Sequence, residues 1–171
     1  MPKGSNTQHV PFVTEFKGTK EFQEVSLFFV KHGCYTNIPK ESKDYKDFWY
    51  RENERCLIGM TNSYGISITG VHYFYLNYAH IKSEDKATKR KIFQFPRFLG
   101  IDYDYFWLID YCRKNEKDLI LVKPRRTGFT LKSAILITYE YNFYRGSVCV
   151  SGAYLDRLSN IAMNSILDNL N

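Results

Sequence analysis

The stretch Asp118–Ala134, DLILVKPRRTGFTLKSA, decides how the 171-residue chain is read. Leu119, Ile120, Leu121 and Val122 form a short, continuous apolar run, the composition of a strand buried on both faces of a parallel sheet. The run gives way at once to Lys123, Pro124, Arg125, Arg126, Thr127, Gly128, Phe129 and Thr130, a basic loop with a single glycine. From Leu131 to Tyr144 the spacing is compatible with a helix. Buried strand, basic loop, helix: this is the setting in which backbone amides at a helix N-terminus hold phosphate.

The common phosphate-binding loop reads G-x-x-x-x-G-K-[ST]. Its glycines let the backbone curl, its amides cradle the phosphates and its hydroxyl helps to hold magnesium. Here Lys123 occupies the place of the first glycine, Gly128 keeps the second, Phe129 replaces the lysine and Thr130 keeps the hydroxyl. A lysine at the start of the loop would fold back across the phosphates, so a cation is retained. Lys123 would then neutralise β- and γ-phosphate charge, and Thr130 would be the magnesium ligand. Thr127, Gly128 and Phe129 complete the nucleotide-binding set, Phe129 also serving as a packing residue beneath the loop. Each has a plainer alternative: Lys123 as a strand-end surface lysine, Gly128 as a turn glycine, Thr130 as an ordinary first-turn residue.

The pattern K-x-x-R-x-G-[FY]-[ST] after a buried strand resembles the variant loop of large terminase subunits, the motors that package DNA into tailed bacteriophages. A second segment, Ile68–Asn77 (ITGVHYFYLN), resembles one found about fifty residues ahead of the loop in one group of these proteins. Residues 60–150 carry the resemblance, and the first fifty residues contribute little to it. It implies ATP and Mg2+ as cofactors. It also implies that Arg125 or Arg126 acts as a cis arginine finger on the transferred phosphoryl group; electrostatic binding of phosphate or DNA backbone is the competing role. Tyr105 is the candidate for stacking on the base, against a simple place in the core.

The partners implied are viral double-stranded DNA, the small terminase subunit, the portal and procapsid, and further copies in a homo-oligomeric ring. The setting implied is the cytoplasm of an infected bacterium. On this resemblance the chain is expected to be the N-terminal ATPase portion of such a subunit. The Walker B acids, coupling segment and nuclease domain would lie beyond Asn171. The 171 residues alone are then expected to bind nucleotide weakly and not to turn it over.

Composition bounds the alternatives. A net charge of +6 favours an anionic partner without choosing between nucleotide and nucleic acid. Aromatic residues make up 17% of the chain, so its core need not rest on aliphatics alone. Cys34, Cys56, Cys112 and Cys149 form no C-x-x-C pair and are expected as free thiols. His9, His32, His72 and His80 show no metal-ligand spacing. No apolar run approaches the roughly 20 residues of a membrane span, and Met1–Gln8 lacks the apolar stretch of a secretory signal, so no membrane partner is expected.

In chain order, Lys20–Lys31 is expected as a helix stopped at Gly33, and Lys43–Leu57 as a second helix capped by Asp44. Gly59–Gly65 is rich in turn residues. Ile66–Ile81, crowded with β-branched and aromatic residues, is expected as a strand pair turning at Gly70. The charged segment Ser83–Lys91 is expected as a surface turn. Asp102–Lys114 should be helical, Gly146–Gly152 a short strand, and Tyr154–Leu170 a helix. The expected fold is thus α/β: the start of a P-loop NTPase parallel sheet, a βαβ unit, preceded by a mixed α+β region. The division is 1–99 for that lead-in and 100–171 for the first part of the ATPase core. Two other functions compete, another P-loop motor of helicase-like or kinase-like type, and a non-enzymatic basic module binding nucleic acid.

Overall fold

The computed structural model describes residues 15–84, 91–124, 127–153 and 156–170. Among them are six α-helices and two small antiparallel sheets, a mixed α/β arrangement. A short 3-10 helix, Thr19–Gln23, leads into α1 (Glu24–His32), which ends at a left-handed Gly33 with φ 71°. Helix α2 (Lys43–Ile58) is capped by Ser42, whose Oγ accepts from the Tyr45 amide at 3.1 Å. The cap is therefore the serine, not Asp44, which lies inside the first turn.

Strands β1 (Met60–Thr61) and β2 (Ser67–Ile68) pair antiparallel across a turn at Asn62–Gly65. Asn62 Oδ1 accepts from the amides of Tyr64 and Ile66 and fixes that turn. The expected strand pair at Ile66–Ile81 is corrected here. Only Ser67–Ile68 is a strand in its first half, and Gly70–Tyr78 is helix α3. Thr69 caps α3, its Oγ1 accepting from the His72 amide at 3.4 Å.

Helix α3 is the axis of the molecule. Residues Gly70–Asn77 are all buried, and the helix touches the 3-10 turn, α1, α2, α4 and α5. A helix covered on every side needs no polar face, so its sequence has no 3.6-residue period. Asn77 satisfies its amide inside this core. It donates to the carbonyls of Phe22 (2.7 Å) and Tyr73 (3.1 Å), and accepts from the Ser26 amide at 3.1 Å, tying α3 to the start of α1.

Strands β3 (Ile81–Glu84) and β4 (Lys91–Gln94) pair antiparallel, Ile81 opposite Gln94 and Glu84 opposite Lys91. Most of the charged turn expected between them falls outside the described residues. Helix α4 (Gly100–Lys114) then leads to the segment 117–124, apolar at 119–122, and α5 (Phe129–Phe143) packs on both α3 and α6 (Asp156–Leu167).

Neither Leu119–Val122 nor Val148–Val150 is a strand in this structure, and neither pairs with any described residue. Ile120 and Val122 are 90% and 95% exposed, and Val148 and Val150 are 88% and 89% exposed. Strand character in such runs depends on neighbours that accept and donate ladder hydrogen bonds, and the described residues supply none. Among the described residues the fold is therefore mixed α/β without a parallel sheet. All four cysteines are free thiols, and no described helix is long and apolar enough to cross a membrane.

Candidate functional site

The Lys123–Thr130 loop opens helix α5. Gly128 is the N-cap residue in the left-handed region (φ 73°, ψ 11°), where a side chain would be strained, and a Cβ there would meet nothing within 4 Å. No side chain caps α5. Thr127 turns its hydroxyl inward and donates to the Pro124 carbonyl at 3.1 Å, stabilising the loop's curl. Thr130 is exposed in the first helical turn. The free amides at the head of a 15-residue helix and the open face at Gly128 fit a phosphate group.

Phe129 is buried just beneath the loop, and its ring organises the cations around it. Tyr105 of α4 meets it edge-on, with ring centroids 4.9 Å apart. The Lys123 ammonium lies 6.0 Å from its centroid and the Lys132 ammonium 4.4 Å. The chain thus brings Lys123, Phe129 and Tyr105 into one cluster at the head of α5. Tyr105 is only 8% exposed, so little of its ring is open to a base in this arrangement. Arg125 and Arg126 lie outside the described residues.

The residue that sequence reasoning passed over is Lys132. It is 2% exposed, one turn into α5, and its Nζ donates to the Thr127 carbonyl at 3.2 Å. The same ammonium forms an ion pair with the fully buried Asp102 of α4. The hydroxyl of the buried Tyr75 also lies against the Asp102 carboxylate, and the lysine is its counter-charge. One signal was available. Phe129, Lys132 and Ile135, and beyond them Tyr139, recur at helical spacing on the buried side of α5, and a lysine in that row needs a buried partner.

His72 of α3, close enough to feel the charge of Lys132, stacks on Phe98 and Phe106 at 5.3 and 5.0 Å. Both ring nitrogens are buried without partners among the described residues. Burial first, and then the positive charge of Lys132, pulls its pKa down to about 3, so it is neutral at pH 7. The folded value lies below the ordinary 6.5 of the unfolded chain, so the unfolded state binds the extra proton as the pH falls. Stability from this group is intact above about pH 6.5 and declines toward pH 3, by about 1.4 kcal/mol per pH unit at most. Urea midpoints at pH 7, 5.5 and 4.5 for wild type and His72→Phe, which preserves the ring stack, should show a shallower decline in the variant. Equal slopes would contradict a buried neutral histidine.

For a magnesium ion the described residues offer the exposed Thr130 hydroxyl and no group of three or more His, Cys, Asp or Glu side chains. A metal here would take one ligand from the chain and the others from phosphate oxygens and water. No protein-family model matches the chain, and neither a curated protein nor a solved structure is significantly similar to it.

Proposed function

We propose that Lys123–Thr130 is a phosphate-binding loop and that the chain is the N-terminal ATPase portion of a phage large terminase subunit. The observation that carries the phosphate reading is the left-handed, open Gly128 at the uncapped head of α5, with the Lys123 ammonium drawn over Phe129 beside it. Oriented amides and a helix dipole favour an anion at that position, and Lys123 adds a full positive charge. The terminase assignment rests on the K-x-x-R-x-G-F-T pattern and the upstream ITGVHYFYLN segment.

In this reading ATP is the nucleotide. Gly128 and the first amides of α5 hold its phosphates, Lys123 offsets their charge, and Thr130 holds Mg2+. Arg125 or Arg126 stabilises charge on the phosphoryl group during transfer. The finer architecture belongs to the same proposal: Leu119–Val122 and Val148–Val150 become parallel strands flanking α5. Their exposed Ile120, Val122, Val148 and Val150 support it, because apolar surface of that extent marks a face made to be covered. Viral DNA, the small terminase subunit, the portal and procapsid, and a ring of like subunits are the partners, in the cytoplasm of the infected host.

The test is titration of the chain with a fluorescent ATP analogue in Mg2+. Weak binding is expected, with affinity falling about tenfold or more in Lys123→Ala, since a charge-assisted contact to phosphate contributes about 1.5–3 kcal/mol. Phosphate release by the 171-residue chain should stay at background. Among the described carboxylates, Asp102 is committed to Lys132, Asp118 precedes the apolar run at its far end from the loop, and Asp156 opens α6. Unchanged affinity in Lys123→Ala would remove the loop as the phosphate site.

A further inference from the structure

At the opposite end of α5 from Gly128 lies an aromatic cleft of about 620 Å3. It opens beside Asn142 and Phe143, fourteen or more residues along the helix from the loop, hence roughly 20 Å away. That separation places it beyond a nucleotide whose phosphates sit at Gly128, and it is independent of the proposed ATP site.

Its wall is built of rings from four helices and a loop: Phe29, Tyr35, Trp49, Phe74, Tyr78 and Phe143. Tyr35, Trp49 and Tyr78 form a mutual triangle, with centroids 5.1 Å apart for Tyr35–Tyr78, 6.0 Å for Tyr35–Trp49 and 6.5 Å for Trp49–Tyr78. The rings are tilted or edge-on rather than parallel, which suits a compact, rounded ligand better than a flat base slid between stacked faces.

The charge of the lining is one-sided. In a chain of net charge +6, the formally charged side chains among the described residues on this cleft are carboxylates, Glu52 and Asp168. Glu52 is 1% exposed and accepts from Tyr73 and Tyr78 hydroxyls at 2.7 and 2.9 Å and from Arg55 at 2.9 Å. Asp168 pairs with Lys82. Neither Arg55 nor Lys82 lines the cleft, so among the described residues a ligand inside meets aromatic rings and no ammonium or guanidinium. His80, the remaining basic lining residue, has its pKa lowered by burial, which favours its neutral form.

From the ring triangle and a described lining without ammonium or guanidinium groups we infer that the cleft binds a small organic cation of the alkylammonium or quaternary ammonium class, held by cation–π attraction with Asp168 at the rim as a distant counter-charge shared with Lys82. The hydroxyl of Tyr78 is already directed at Glu52, so this ring of the cage is fixed before the ligand arrives.

The probe is choline, with 3,3-dimethyl-1-butanol as its neutral carbon isostere, each titrated into the intact chain by calorimetry. Choline should bind about tenfold more tightly than the isostere, the discrimination expected of a desolvated cation–π site. Trp49→Ala should weaken choline binding by at least about tenfold. Asp168→Asn, at the half-exposed rim, should weaken it by a smaller factor and keeps the inference testable should loss of the indole unfold the chain. ATP-analogue affinity should be unchanged in Asp168→Asn, which separates failure here from failure of the phosphate loop. Equal binding of choline and its isostere, absence of choline binding at tens of millimolar, or full choline affinity in both variants would each overturn the inference.

Discussion

Lys132→Met is expected to destabilise the chain by about 3–5 kcal/mol, the cost of leaving a buried charge uncompensated. The size follows from burial: the Lys132 side chain is 3% exposed and that of Asp102 is fully buried, so water cannot replace the lost partner. Methionine fills a similar volume, which removes cavity formation as an explanation. At a chain length of 171 residues each kcal/mol shifts the melting temperature by about 2–4 °C, so a fall near 10 °C is expected. Asp102→Asn added to Lys132→Met should restore more than half of the loss, because the double variant buries no net charge. The Thr127 carbonyl would still lack its donor, so nucleotide-analogue binding should remain weak even where stability returns. The pKa of His72 should rise in Lys132→Met, since the ammonium is one cause of its depression, and its ring proton shifts report this directly. A loss under 1 kcal/mol for the single variant, or no recovery in the double, would mean that the pair is not the closed buried ion pair described.

What was legible in the sequence was whatever depends on local order. Gly33 ends α1, and residues 100–114 and 156–167 are helices whose apolar positions recur at the helical period, whereas the cap of α2 is Ser42 and not the expected Asp44. Gly128 caps α5 and Thr130 lies in its first turn, so the helix starts where the glycine suggests. Helix α3 was not legible. Val71, Tyr73, Phe74 and Tyr75 favour strands by composition, and only enclosure by five neighbouring elements makes a helix of them. The apolar runs at 119–122 and 148–150 misled in the opposite direction, since apolar composition describes a strand that has partners and no described residue pairs with them.

The buried charges show the same division. Glu52 precedes Cys56 by one helical turn and both face inward, so a carboxylate amid core positions was visible in principle. Its three donors come from Arg55 on the same helix and from Tyr73 and Tyr78 on α3, and no spacing rule reaches across that gap. Asp102 and Lys132 are likewise separated by the apolar segment and the loop. Their pairing exists only because α4 and α5 both pack on α3.

Gly70→Ala is the substitution that tests the central helix, and it should cost about 3 kcal/mol, the upper end for overpacking a core. A Cβ at Gly70 would run into the Cys56 carbonyl and lie 2.7 Å from the carbonyl carbon and oxygen of Leu57. These are backbone atoms of α2, so no side-chain rotation relieves the overlap. The Cys56 carbonyl is further fixed by the Tyr139 hydroxyl of α5, which donates to it at 2.9 Å. To admit one methyl group, α2 and α3 must separate, and the strain would spread to Tyr139 and to the bonds that Tyr73 and Tyr78 make to Glu52. Were Gly70 instead the turn of a strand pair, alanine there would carry only a conformational cost of about 1 kcal/mol. Gly152→Ala is the control, because a Cβ at that position meets nothing within 4 Å and its φ is not left-handed. Urea unfolding of the three proteins should give similar slopes, a midpoint near wild type for Gly152→Ala and a much lower one for Gly70→Ala. A Gly70→Ala midpoint equal to the control would mean that α3 does not lie against the Cys56–Leu57 backbone, and the helical core built around it would have to be abandoned.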